Sequence, residues 1–406
     1  MSSQGLRGVV AKPACFLAMM LALGATRGLY AQSHTRLLLS SGSGVPGHAG
    51  FVFGPFSHLA MNEGREIVFL SSLRSARSEL QAVVRSTGVS FTVVAFRGLR
   101  SPVPKTSYES FSAPSINNAG TLAFTAALKD EAEPPPAAVI RVEGANHRAV
   151  AVSGETVPGS PDSPFLEFSA PVIDSAGRIL FGARTGGKKP GTGLFLWTPR
   201  GIQSLPLPAT LHPTPKDLLE PVYFARDEAV FVPRGTSSDA AAEQFFRAVA
   251  IRSFQELNPP PDPTATVEVL AARAPEEPVK MLLVLMEAEN VQTLGLEGEP
   301  SQPVVAKRPA GVAGKLLGRV EGQTAAARGN VIFAATTADQ ATDMALYCFC
   351  EGQVVRLTSP EEFVPITQFA SGKVIFSLTG DAQHTTAFIA PGSSGESSAI
   401  YVTSIP

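Results

Sequence analysis

Residues Ser110 to Phe124 (SFSAPSINNAGTLAF) and Glu167 to Phe181 (EFSAPVIDSAGRILF) match at a constant offset of 57 residues. A duplication of this length means that the chain is assembled from copies of one small unit, and that fact constrains the fold more than any local pattern does. Weaker copies flank the pair at Asn62 to Phe69 (NEGREIVF), Phe224 to Phe231 (FARDEAVF), Ala326 to Phe333 (AARGNVIF) and Phe369 to Phe376 (FASGKVIF). A further copy, Pro278 to Leu285, keeps the apolar run without the turn. Taking Phe69, Phe124, Phe181, Phe231, Leu283, Phe333 and Phe376 as anchors gives intervals of 55, 57, 50, 52, 50 and 43 residues.

Each unit reads as four short strands. The first ends in a turn where Asn117 or Asp174 accepts a backbone hydrogen bond and Gly120 or Gly177 takes a positive φ. The second runs into the anchor ring with apolar residues on alternate positions. Third strands follow at 80–85, 138–142, 193–197, 344–348 and 385–390, and fourth strands at 91–96, 147–152, 202–207, 354–358 and 399–403, bounded by Gly, Pro or Ser. Such a sheet cannot bury both faces alone, so the units must stack. The expected fold is all-β, a β-propeller of about seven four-stranded blades, and a linear β-repeat array is the competing architecture. The units fall at about 51–104, 105–160, 164–212, 216–263, 264–309, 316–360 and 361–406. Leu37 to Ser40, followed by Val45-Pro46-Gly47, resembles the end of a repeat and offers an extra strand that can close a ring. Ser238 to Arg252 is rich in helix formers and predicts a helix inserted in the fourth unit.

Arg7 and Lys12 precede the apolar run Ala14 to Ala25, and small residues end at Ala31, so residues 1–31 read as a secretory signal peptide and 32–406 as the mature domain. Export to the periplasm or cell exterior is expected, with no membrane span after cleavage. The mature part keeps 30 basic against 35 acidic residues, a net charge of −5 that argues against nucleic acid as a partner. Cys348 and Cys350 remain. Two apart on a strand, their Cα atoms are about 6.5–7 Å apart, at the outer limit for a disulfide; buried thiols, a strained pair and half a metal site all remain open.

The pattern Asn-x-x-Gly-x-x-x-Phe is complete at Asn117, Gly120 and Phe124, and Asp174, Gly177 and Phe181 repeat it with one Asn to Asp change. Phe69 keeps register with Asn62, although Gly64 is displaced by one. The pattern resembles the bacterial secreted proteins named for tandem NxxGxxxF repeats with a choice of C-terminal anchor. The resemblance implies an exported, β-propeller-like protein of unassigned function. Ser398 to Pro406 carry neither the apolar span nor the basic tail of such an anchor.

Motifs for chemistry are sparse. Gly182 to Lys188 has the length of a phosphate loop, but Lys189 and Pro190 stand where a magnesium-binding hydroxyl and a helix belong, so it reads as a hairpin tip. There is no Gly-x-Ser-x-Gly and no calcium loop. His34, His48, His58, His147, His212 and His384 have no ligand spacing and read as surface or loop residues. A propeller glycosidase or lyase needs converging carboxylates. Glu109, Glu167, Asp174, Glu220 and Glu276 lie near the starts of units, Glu109 and Glu167 one place out of register. The sequence assigns no catalytic residue, metal or cofactor. The expected function is a monomeric, non-catalytic scaffold binding a protein or glycan partner through loops on one face, the alternatives being that glycosidase and a structural envelope component.

Overall fold

The computed structural model describes residues 34–130, 135–207, 213–225, 228–234, 246–249, 253–256, 266–271, 281–287, 290–296, 302–303, 317–327, 330–337, 340–350, 353–356, 378–380, 385–391 and 398–404. The expected signal peptide and the anchor Phe376 lie outside them. Ser33–Ile405 forms one compact unit. Among the described residues no helix is long and apolar enough to cross a membrane.

The described chain is all β. Seven antiparallel sheets follow one another, nearly all of their strands paired with a neighbour in sequence. The first holds Val52–Met61, Ile67–Arg74, Glu79–Ser86 and Phe91–Phe96. The second holds Ser107–Phe111 and Ser115–Ile116, both paired with Leu122–Lys129, then Ala137–Glu143 and Asn146–Val152. The third opens with Thr156–Val157 and Ser160–Phe168, ahead of residue 164 where the repeat spacing starts the unit, and continues through Val172–Ile173, Ile179–Thr185, Gly191–Thr198 and Gly201–Leu205. The fourth to sixth begin at Leu218–Ala225, Thr266–Ala271 and Leu317–Ala327. In the seventh, Leu378–Gly380, Thr385–Pro391 and Ser398–Ser404 are joined by His34–Ser40 from the other end of the chain, which pairs antiparallel with Ser398–Ser404.

Two expectations need correction. Within the helix-forming stretch 238–252, Phe246–Val249 is a strand paired with Glu228–Arg234, because cross-strand pairing overrides local propensity; the rest of that stretch lies outside the described residues. The expected alternation of apolar and polar positions also fails. Ile67 to Phe69, Leu122 to Phe124 and Ile179 to Phe181 are buried at every position, as in strands covered on both faces.

The two faces differ in kind. One carries a cluster of aromatic rings: Phe53, Phe56 and Phe69 in the first sheet, Tyr108, Phe111 and Phe124 in the second, Phe165, Phe168 and Phe181 in the third. Within each cluster the rings meet edge-on or tilted, at 5.4 Å for Phe56 and Phe69, 5.5 Å for Phe111 and Phe124 and 5.7 Å for Phe168 and Phe181. The other face is light, with Ala60, Val68, Val83 and Ala95 in the first sheet and Ala123, Val139 and Ala151 in the second. The light face of each sheet packs on the aromatic face of the next. The aromatic face of the first sheet packs on Ala387, Ile389, Ile400 and Val402 of the seventh.

The copied Ser-Ala-Pro has a local cause. Pro114 and Pro171 have no N–H, and the first strand of each unit breaks there. Ser112 Oγ accepts from the Thr125 amide at 2.9 Å, and Ser169 Oγ from the Gly182 amide at 2.8 Å, filling the gap in the ladder. Neighbouring sheets are keyed at the same point. Thr125 Oγ1 donates to the Ser169 carbonyl at 2.6 Å. At the equivalent place in the third sheet, a Cβ on Gly182 would lie 1.7 Å from the Leu219 carbonyl oxygen, so only glycine lets the fourth sheet approach.

Phe124→Ala is expected to cost about 3–5 kcal/mol by removing the central ring of such a cluster. Urea unfolding followed by tryptophan fluorescence checks it, since Trp197 lies in the adjoining core.

Candidate functional site

The repeat signature converges on the turns that join the first two strands of each unit. In the first three units the turn is a three-residue hairpin loop closed by two backbone bonds. Arg65, Gly120 and Gly177 donate to the carbonyls of Asn62, Asn117 and Asp174, each at 2.9 Å, and the Asn or Asp amide donates back across the strand pair. The residue closing the loop is left-handed, with φ of +74° at Gly120 and +76° at Gly177. In the first unit this residue is Arg65, at φ +61°, and not Gly64. The displaced glycine of the sequence pattern is therefore not the turn glycine.

The asparagine has a second task that the sequence pattern does not reveal. Its Oδ1 holds its own turn, accepting from the Thr121 amide at 2.9 Å in the case of Asn117. Its Nδ2 donates to the next unit: Asn62 to the Asn117 carbonyl at 2.9 Å, and Asn117 to the Asp174 carbonyl at 3.0 Å. The signature residues thus form a side-chain-to-backbone ladder running from sheet to sheet. An aspartate can accept but not donate, and at Asp174 the ladder stops. Asp174 takes both the amide and the Nε of Arg178, at 2.8 and 2.6 Å. The Arg178 guanidinium lies 5.1 Å over the ring of Phe224, which occupies the asparagine position of the fourth unit. Where Asp174 cannot donate, a cation–π contact through Arg178 is what reaches the fourth unit.

Arginines on the third strands brace the same rim. Arg85 pairs with Glu66, whose other oxygen accepts from Asn62 Nδ2 at 2.9 Å. A Cβ on Gly120 would lie 2.5 Å from Arg85 Nη2, so the turn glycine also makes room for this cation. Arg141, at the equivalent position, and Arg148 lie 5.8 and 5.5 Å over Trp197. Asn117, Gly120, Phe124, Asp174, Gly177, Phe181, Phe69 and Phe231 are thus placed in turns and cores. The side chains of Phe333 and Leu283, like those of Cys348 and Cys350 on Gln340–Cys350, lie outside the described residues.

The carboxylates singled out by the sequence are engaged with cations. Glu109 pairs with Arg97, Glu167 with Arg184 directly across the strand pair, and Asp174 with Arg178. Glu220 is half-buried on the first strand of the fourth sheet, and Glu276 lies outside the described residues. Among the described residues no group of three or more His, Cys, Asp or Glu is placed to hold a metal ion. Gly186 to Pro190 forms the tip of the hairpin joining Ile179–Thr185 to Gly191–Thr198, the non-phosphate reading of that loop.

One histidine differs from the surface reading. His147 is half-buried and its Nδ1 shares a hydrogen bond of 2.8 Å with the hydroxyl of the fully buried Tyr108. In the first sheet the same two positions hold Phe53 and Phe91, whose rings are 6.2 Å apart. Replacing Phe by Tyr brings a hydroxyl into the core, and the imidazole at the facing position satisfies it. Burial pushes the Tyr108 hydroxyl well above the usual range and lowers His147.

The sheets and their ladder define a class: tandem antiparallel sheets stacked face on face in the manner of propeller blades. Residues 17–201 match the model of a family of unknown function (DUF7453). No curated protein matches the chain. Among solved structures, the chain is similar to a prolyl endopeptidase at 10% identity, TM-score 0.45, with 94% of this chain and 60% of that one covered. It is similar to a sialidase of Trypanosoma rangeli at 12% identity, TM-score 0.43, covering 91% and 59%. A puromycin hydrolase gives 12% identity, TM-score 0.48, covering 83% and 50%. The chain therefore spans about 60% or less of the length of these three proteins.

This geometry has two measurable outcomes. Asn117→Ala is expected to cost about 1–3 kcal/mol for each buried partner it leaves unpaired, whereas Asn118→Ala, which removes only a solvent-exposed bond from the Glu63 amide, costs under about 0.5 kcal/mol; denaturant titration of the two variants checks this. Because His147 titrates lower folded than unfolded, its contribution to stability is complete above the unfolded pKa, about 6.5, and is lost as pH falls through the lowered folded value. The double variant Tyr108→Phe/His147→Phe, which copies the first sheet, is expected to flatten that acid limb of the melting temperature against pH, while His147→Phe alone strands the Tyr108 hydroxyl and destabilises.

Proposed function

We propose that the chain is an exported, seven-bladed β-propeller of the tandem NxxGxxxF kind, closed by its own N-terminal strand, acting as a monomeric, non-catalytic scaffold that offers loops of one face to a protein or glycan partner. The observation that carries this reading is the seat of His34–Ser40 beside Ser398–Ser404. A linear array leaves an apolar face open at each end. Here the aromatic face of the first sheet packs on the seventh, which favours a ring. Export rests on the basic, apolar and small-residue order of residues 1–31.

A rigid ring leaves its loops as the adjustable surface. The pairing of Glu109, Glu167 and Asp174 with arginines supports a scaffold over a glycosidase, since a general acid and its partner carboxylate need freedom to exchange protons with substrate.

The test has two arms. Residues 32–406 are expected to elute as a monomer and to retain a defined partner from a native envelope extract, and to lose it when residues 98–106, which connect the first sheet to the second, are replaced by residues 42–51, which lead into the first. Hydrolysis of a glycoside panel that disappears in Glu167→Gln overturns the scaffold reading, and a chain whose stability is unchanged by removal of residues 34–40 overturns the ring.

A further inference from the structure

The connections that lead into the first three sheets share one geometry. The amides of Gly42, Gly98 and Gly154 donate to the carbonyls of Phe53, Tyr108 and Phe165 at 2.7, 2.8 and 2.8 Å. The amides of those three aromatic residues donate back to Ser43, Leu99 and Glu155 at 2.9 Å each. Inside this frame Gly44 bridges Val52, Arg100 bridges Ser107, and Thr156 pairs with Pro164. The three crossovers can therefore be compared position by position.

The second crossover departs from the others by charge. Arg100 stands where the first has Gly44 and the third has Thr156. Lys105, three residues before Tyr108, stands where the first has Gly50. Gly50 is left-handed with φ +85°, and Lys105 keeps that conformation at φ +64° although a lysine is strained there. Among the described residues neither Arg100 nor Lys105 has a carboxylate partner, while Arg97 close by is paired with Glu109. The loop under them is tied down: Val103 N–H donates to Ser101 Oγ at 3.1 Å, Thr106 Oγ1 to the Val103 carbonyl at 3.0 Å, and the Ser101 and Thr106 hydroxyls bond each other in the buried floor. Pro102 and Pro104 stiffen it further. The two cations, with Gly98, Thr106 and Ser107, line an open surface depression of about 310 Å³.

We infer that this crossover is an oxyanion-binding site, in which Arg100 and Lys105 hold a carboxylate or sulfate group over the open depression that Thr106 and Ser107 line. Two cations left unpaired on an acidic mature surface, one at the cost of a left-handed backbone, gain a charge-assisted partner when such a group enters. A guanidinium pairs two oxygens in its plane and the ammonium supplies a third contact from the side. The pre-set loop needs no ordering on binding. The inference deepens the scaffold reading by naming what one loop takes, and rests on that reading only for the source of the group, a free anion or an acidic glycan.

The test compares the mature wild-type protein with Arg100→Gly/Lys105→Gly, which copies the first crossover. Calorimetric titration uses sodium sulfate in one arm and a defined uronate oligosaccharide in the other, at low and high salt. The expected result is binding by the wild type that weakens with salt, a loss of at least about tenfold in the variant, and a variant melting temperature that is equal or higher because the strained residue has become glycine. Equal affinity of variant and wild type, or no binding of either probe by the wild type, overturns the site. Sulfate binding without oligosaccharide binding upholds the site and removes its glycan source. Failure of the envelope capture with sulfate binding intact overturns the scaffold reading alone.

Discussion

The first two sheets of this protein have a heavy face of aromatic rings and a light face rich in alanine and valine, the third pairs its rings with a face of leucines, and each face is dried by a different neighbour. Everything else in the described structure depends on the need to hold successive sheets at the distance where a ring such as Phe124 fills the space over Val68 and Val83. Burying one such ring stabilises by about 1.5–3 kcal/mol, and no sheet could gain this alone. The polar devices are placed to fix that spacing. Thr125 bonds the Ser169 carbonyl, Gly182 lets the Leu219 carbonyl approach, and Asn62 and Asn117 reach the next turn.

The ladder of asparagines shows what the signature residue does beyond its own turn. Each rung runs from an Asn amide to the backbone carbonyl of the next turn, so the donor alone must be Asn, and the acceptor is Asn at 117 and Asp at 174. At Asp174 the side chain has no N–H to give, and it holds Arg178, whose guanidinium lies over Phe224.

Much of the architecture was legible because turns and anchor rings have strict requirements. Phe69, Phe124 and Phe181 are fully buried, and Gly120 and Gly177 are left-handed, as a spacing argument requires. The remaining two rings of each cluster went unread, although Phe53 and Phe56, Tyr108 and Phe111, and Phe165 and Phe168 repeat as an aromatic pair 16 and 13 residues ahead of the anchor. A register shift at the pair in each of these first strands puts two rings three residues apart on one face, which breaks the period of two that would have pointed to them. Arg65 hid the first turn because its strained backbone leaves no glycine to find. His147 looked like a surface residue because its role is set by Tyr108, 39 residues away, and no local pattern carries that distance. The cations of the second crossover became visible only when the loops could be superposed in register.

The pairing of His34–Ser40 with Ser398–Ser404 also has a consequence in time. The aromatic face of the first sheet has its partner in residues made much later, so a growing chain carries Phe53, Phe56 and Phe69 uncovered until Thr385–Pro391 and Ser398–Ser404 appear. At ordinary synthesis rates that interval is roughly 20–70 s. Loop-closure entropy delays the contact further, because nearly the whole chain must be spanned before any of it is rewarded. Such a chain completes its fold late and in one place, which makes the first sheet the segment most exposed to misassembly during synthesis.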